Sequence, residues 1–368
     1  MYGFQIFHHY DIDTYNTFMG NGPERIVQIE HWSNPDAETY LTGIDYYDHP
    51  RRCRLKMKEL YPSLYLPIFE TDDPRPRPAI AGSKTDPEKH VARWGDGETW
   101  TFAHGETYFK TPEEVFSFSP LEHAADFKNW IHIVEHSDYS SEEILYEQYK
   151  QFYPDDAAPG DLPACAPFYN TMIMWPLLTF GWELFLECCL DDRFERVMDE
   201  FAELNRRAFK AIDRLPVNFV ICHDDIMTTR GPICSPAWMN KYIFPRYEEF
   251  FGIVKQSGKR VIFIADGDMN AYADDVIACG ASGIISESYT DYKAIAKRHK
   301  DCVLAGEGDN RILQRNDPDE IRKMVESMVL TGKMSGGYMM CIGNHIPWNV
   351  NPEGVKRYLD LVDKLAFR

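Results

Sequence analysis

From about Val217 to Arg368, short apolar runs rich in β-branched residues alternate with longer stretches of helical period. The runs are VNFVICHDD, KRVIFIADGD, SGIISES, CVLAGEGD and GYMMCIGNH, and each closes on polar residues. A strand that is apolar at consecutive positions must bury both faces, so the pattern predicts five parallel strands covered by helices. The stretches between them open on residues that accept hydrogen bonds from a first helical turn. These are Ser235-Pro236, Thr290, Asp317-Pro318 and Asn351-Pro352, while Gly258 and Gly280 stand where a helix ends. The segment AWMNKYIFPRYEEFFGIVKQSG reads as one helix.

No G-x-G-x-x-G follows the first of these strands and no G-x-x-x-x-G-K-[ST] occurs, which removes the main support for an open nucleotide-binding sheet. The expected fold is therefore α/β, a closed (β/α)8 TIM barrel. SLYLPIFE and PACAPFYN are the candidate strands of the first half. Residues 1–62 are expected to form an N-terminal extension packed on the barrel and residues 63–368 the catalytic barrel. The Pro- and charge-rich stretch Asp72 to Gly97 is expected as an insertion over the barrel mouth.

Composition narrows the function. Hydrophobic residues make up 44% and aromatics 14%, enough apolar surface to offset chain entropy and exclude wholesale disorder. The 39 Lys and Arg against 58 Asp and Glu leave a net charge of −19, which repels phosphate backbones and anionic lipid; no nucleic-acid or membrane partner is expected. The nine cysteines are scattered without a C-x-x-C pair, arguing against a disulfide framework and a cysteine-only zinc site. MYGFQIFHHYDID carries no secretory pattern, and the apolar stretch Phe168 to Leu190 is interrupted by Asn170, Pro176, Gly181 and Glu183, so a cytoplasmic protein is expected.

In a barrel of this kind the reacting groups sit where strands end. Those ends hold His223, Asp224 and Asp225; Asp266 and Asp268; Glu287; Glu307 and Asp309; Asn344 and His345. Two imidazoles among carboxylates suit a metal bound by oxygen and nitrogen, zinc first, or a set of acids and bases with separated pKa values; the residues alone leave both open. Each has a plainer reading. Asp224 and Asp225 cap loops or pair with Arg230, Asp268 caps a turn, Glu287 forms a rim salt bridge, and Glu307 sits in a tight turn between Gly306 and Gly308. His31 and the remaining histidines are expected in packing or solvated roles, and HPRRCRLKMK as a solvated helix face. The aromatic and Met spacings of FYNTMIMWPLLTFGWELF read first as core, while Phe168, Tyr169 and Asn170, which follow a candidate strand, are the candidates to line a pocket for a flat apolar substrate, together with Asn344 and Trp348.

The succession HDDI, RGPICSPAWMNKYIFP, VIFIADGDM, GASGIISES, LAGEGDNRILQRNDPDEI and GGYMMCIGNHIPWNVNPEGV resembles the uroporphyrinogen decarboxylase superfamily over roughly Asp161 to Asp363. That group holds porphyrinogen decarboxylases, cobalamin-dependent methyltransferases and, more distantly, cobalamin-independent methionine synthase. The resemblance implies a (β/α)8 barrel. The arginine-bearing Arg-Gln-Ala-Gly-Arg segment of the true decarboxylases has no counterpart here. The His-x-Cys zinc pair of the thiol-activating methyltransferases falls on Ile264 and Asp266, and Glu287 matches a glutamate ligand of the methionine synthase branch. The resemblance thus implies a harder, oxygen-rich site; the strand-end constellation offers Asp266, Glu287 and His345 to hold zinc or donate a proton, and His223, Asp224, Asp225 and Glu307 as catalytic candidates. The resemblance also implies a methyltransferase that passes a methyl group from a small methylated, methoxy-aromatic substrate to a corrinoid on a partner protein. A decarboxylase of the porphyrinogen type and a non-catalytic binding barrel are the alternatives.

Overall fold

The computed structural model describes residues 12–66, 68–69, 71–75, 91–94, 97–101, 107–110, 115–118, 141–150, 170–347 and 349–368. Six strands build most of the barrel wall: β1 (Gln28–Ile29), β2 (Leu64–Tyr65), β3 (Phe219–His223), β4 (Arg260–Ile264), β5 (Gly283–Ile285) and β6 (Val303–Ala305). All pair in parallel. β2 lies beside β1, Gln28 bridges to Met340, Tyr338 bridges to Leu304 of β6, and β6, β5, β4 and β3 follow side by side. His223 then bridges to Asn170. The run Tyr338 to Ile342 and the segment at Asn170 thus complete the eight parallel elements of a (β/α)8 barrel.

Four of the five strands expected after Val217 are present, and the fifth run joins the wall through parallel bridges at Tyr338, Met340 and Ile342. SLYLPIFE contains β2, and PACAPFYN reaches the wall at Asn170, its earlier residues lying outside the described ones. The stretch 1–62, expected as an extension, itself carries β1, so a boundary at residue 62 cuts through the wall. It also closes the floor. Helix Ile12–Phe18 stacks Phe18 on Phe219 at 4.5 Å, and Asn218 donates to the Tyr15 hydroxyl at 2.8 Å. The stretch expected as an insertion contains Val91–Trp94, the first strand of a four-stranded antiparallel sheet running to Val115–Phe118.

Pleating sorts the wall into two faces. Ile29, Tyr65, Phe219, Ile221, Ile262, Ile264, Val303, Ala305, Met339 and Cys341 fill the barrel interior. Their sequence neighbours Val220, Cys222, Val261, Phe263, Leu304, Met340 and Ile342 face the helices instead. In register, Ile264 stands level with His223 and with Ile285, and Ile285 with Ala305, so four strands end at one height.

Ser235, Asp317 and Asn351 cap helices as expected, while the helix after Thr290 is capped by Asp291, whose carboxylate accepts from the Ala294 N–H at 3.0 Å. Thr290 accepts from the Met269 N–H instead. The segment read as one helix divides into Pro236–Tyr242 and Phe244–Gln256, because Pro245 lacks the N–H that continuity requires. In helix Pro50–Leu60 the basic face is not wholly solvated: Arg54 is buried and binds Glu38 through two hydrogen bonds of 2.8 and 2.9 Å. No helix among the described residues is long and apolar enough to cross a membrane.

Candidate functional site

Continuing the inward parity of β3, β4 and β5 past their ends brings His223 and Asp225, Asp266, and Glu287 to the C-terminal mouth. His223 has an acceptor at each ring nitrogen, Asn170 Oδ1 at 3.0 Å from Nδ1 and Asp225 Oδ1 at 2.8 Å from Nε2. Nε2–H donates to the Asp225 carboxylate, whose charge favours the imidazolium form, in which Nδ1–H donates to Asn170. Burial opposes that charge, but the Asp225 hydrogen bond and carboxylate outweigh it and the His223 pKa rises. For Asp225 burial pushes upward and His223 pulls down further, leaving its carboxyl below the usual range.

The Asp225 oxygen also accepts from the Asp266 N–H at 2.8 Å, which sets the Asp266 side chain beside an ionised neighbour. Burial, the Asp225 charge and the Glu287 charge lift Asp266 to about 7 against the smaller pull of His223. Its Oδ2 accepts from Asn344 Nδ2 at 3.1 Å, and Asn344 in turn hydrogen-bonds His345 Nδ1 through its Oδ1. Glu287 accepts from the Gly267 N–H at 2.8 Å. Gly267 has a φ of 89°, and a Cβ there would stand 2.6 Å from the Thr228 backbone, so this turn needs glycine.

Two expected catalytic residues point elsewhere. Asp224 is fully buried on the outer face, where it accepts from Tyr247 Oη and Met174 N at 2.7 Å, Ile173 N at 3.0 Å and the Thr171 hydroxyl. It caps helix Met174–Cys188 rather than facing the mouth. Glu307 accepts from Ser327 at 3.0 Å and Tyr338 at 2.9 Å and stands 3.7 Å from Lys293. Gly306, with a φ of 105° and so close to Ser286 that a Cβ would lie 1.7 Å from its carbonyl oxygen, breaks the strand parity and sends Glu307 outward. Asp268 and Asp309 cap the turns that follow them. Asn170 is at the site, orienting His223, whereas Phe168, Tyr169 and Trp348 lie outside the described residues.

His31, expected in a packing role, also reaches the mouth. Its ring lies 5.4 Å from that of His345 and hydrogen-bonds the Asn344 backbone. Burial and the neighbouring His345 lower it to about 4, so it is neutral at physiological pH. The parity Ile29, His31 is the signal that would have found it, obscured because β1 is only two residues long.

A zinc site on Asp266, Glu287 and His345 does not fit this arrangement. Among the described residues no three His, Cys, Asp or Glu side chains are placed to hold a metal ion. Asp266 and His345 are joined through the Asn344 amide, and Glu287 is turned to the Gly267 N–H. What the site offers is the hydrogen-bonded pair His223 and Asp225, each shifted toward its charged form, beside a carboxyl raised to about 7.

The family model for uroporphyrinogen decarboxylase matches residues 182–365. No curated protein matches the chain. Among solved structures, a methyltransferase from Methanosarcina mazei aligns with a TM-score of 0.51 at 13% identity, over 95% of this chain and 96% of that one. At that identity the likeness speaks for the barrel.

Proposed function

The chain belongs to the uroporphyrinogen decarboxylase family, and from that premise we propose that it is a methyltransferase that demethylates a small methoxy-aromatic substrate, with Asp266 protonating the departing oxygen. The observation that carries this reading is Asp266 itself: a buried carboxyl lifted to about 7, at the barrel mouth, beside the His223 and Asp225 pair. Breaking an aryl methyl ether needs a nucleophile for the methyl group and a proton for the oxygen. The methyl acceptor we assign is a reduced corrinoid on a separate partner protein.

Asp266 supplies the proton. A phenolic oxygen titrates at about 10, well above Asp266 at about 7, so transfer runs downhill as negative charge develops on that oxygen. The C–O bond breaks, its electron pair stays on the oxygen, and the O–H bond forms as Asp266 becomes a carboxylate that water reprotonates. His223 and Asp225 stay charged throughout, holding the backbone of Asp266 in place through its N–H. Ile264, two positions below Asp266 on the inward face and more exposed than the fully buried Ile221, offers an aromatic ring an apolar contact. A structural neighbour that is a methyltransferase supports the assignment.

The test mixes the purified protein with reduced cobalamin and a panel of methoxyarenes under anoxic conditions and quantifies free phenol. Phenol release that falls by about 10²-fold or more in Asp266→Asn is the expected result. Turnover should also decline as pH rises past about 7, where Asp266 loses its proton. No phenol from any substrate, with carbon dioxide released from uroporphyrinogen, overturns the reading in favour of a decarboxylase.

A further inference from the structure

Asn344 is one of two non-glycine residues with positive φ among the described residues, at 62°. The other, Asn316, ends helix Asn310–Arg315, an ordinary place for that conformation. Asn344 ends no helix. It follows Gly343, where a Cβ would stand 2.7 Å from the Gly306 carbonyl oxygen and 2.9 Å from the Glu287 Cα, so the chain enters the mouth pressed against its neighbours. From β1 the other side is held by His31, whose ring hydrogen-bonds the Asn344 backbone and whose carbonyl accepts from the Ile346 N–H at 2.9 Å. The amide is then spent at both ends, Nδ2 on Asp266 Oδ2 at 3.1 Å and Oδ1 on His345 Nδ1.

We propose that Asn344 is a positioning residue for Asp266, clamped in its left-handed conformation by His31, and that it selects which carboxyl oxygen delivers the proton. This rests on Asp266 acting as the acid. An N–H donating to Oδ2 makes that oxygen the acceptor and the poorer site for a proton, which favours the acidic proton on Oδ1. Oδ1 has no hydrogen-bond partner among the described residues, which leaves it available to a substrate oxygen. Asp225, His223 and Glu287 act on the same carboxyl by charge from β3 and β5, and His345 and His31 meet Asn344 from its other side.

The decisive variant is Asn344→Gly, because glycine takes a φ of 62° without strain and removes only the amide. In the phenol assay kcat falls by about 10²-fold while KM stays within about twofold, the mark of a misplaced acid. A raised KM with kcat retained makes Asn344 a substrate contact and overturns the proposal. A crystal structure of the ligand-free variant decides independently of any activity. The Asp266 carboxylate leaves its orientation while the backbone of 343–346 holds; a carboxylate that has not moved overturns the proposal. Should glycine fail to fold, Asn344→Asp, which tolerates the same backbone but cannot donate, is read in the same two ways. Asp266→Asn with undiminished phenol release would instead remove the acid assignment and leave the crystallographic result standing.

Discussion

The barrel wall carries carboxylates on both faces, and the two sets are built differently. On the outer face Glu30, Asp224 and Glu307 each accept a hydrogen bond from a buried tyrosine, Tyr358 at 2.6 Å, Tyr247 at 2.7 Å and Tyr338 at 2.9 Å. Each also takes further donors, such as the Ile342 N–H for Glu30 and Ser327 for Glu307. On the inner face Asp225 and Glu287 receive backbone N–H groups at the mouth and Asp266 a single side-chain amide. Glu30 and Asp266 both sit at about 7, yet for different reasons. Glu30 is raised by burial against three hydrogen bonds that pull it down, Asp266 by burial with the charges of Asp225 and Glu287 added. The same titration point therefore marks a hydrogen-bonded strut in one place and the proposed proton donor in the other; the partners distinguish them.

The sharpest way to break this contrast is Asp224→Ala. It strands the Tyr247 hydroxyl and two helix N–H groups in a buried site, and thermal or urea unfolding should show a loss of about 3–5 kcal/mol. An unchanged stability would mean that Asp224 is not the cap its contacts describe. A smaller effect of opposite sign is expected for Asp266→Asn. Because folding raises this carboxyl from its ordinary 3.8 to about 7, the folded chain binds more protons than the unfolded one across that window, and stability is lost as pH rises through it. At pH 8 the variant should gain on the order of a few kcal/mol, while at pH 3 the gain vanishes; a melting series across pH reads both. Tyr338→Phe should cost least, about 1 kcal/mol, because Glu307 keeps Ser327 and Lys293. Its turnover per folded molecule should match the wild type, and a large drop would return Glu307 to the catalytic set.

How far the chain could be read depends on where strand character is written. The five strands after Val217 announce themselves by consecutive apolar residues because both faces are buried. β1 and β2 are two residues each, and β1 mixes Gln28 with Ile29, so no periodicity exceeds the noise there. At the mouth, residue types pointed to the right strand ends but not to the right faces. Asp224 and Asp225 look alike in sequence, and the pleat alone turns one to the helices and the other to His223. Counting parity from Phe219 and Ile221 would have separated them. Glu307 defeats even that count, because Gly306 reverses the parity through a backbone angle no residue-type pattern encodes. Asn344 was legible as a site residue, but its role as a bridge depends on His31, more than three hundred positions away.

The place of β1 between β2 and Met340 also sets a timetable. While the protein is being made, that early strand has only one flank until the codon for Met340 has been read. At about 5–20 residues per second this delay lasts roughly 15–60 s, during which Gln28 and Ile29 present an unpaired edge to whatever else is nascent nearby. The seam beside His31 therefore closes late, and the mouth is assembled only once the run from Tyr338 to Ile342 has emerged.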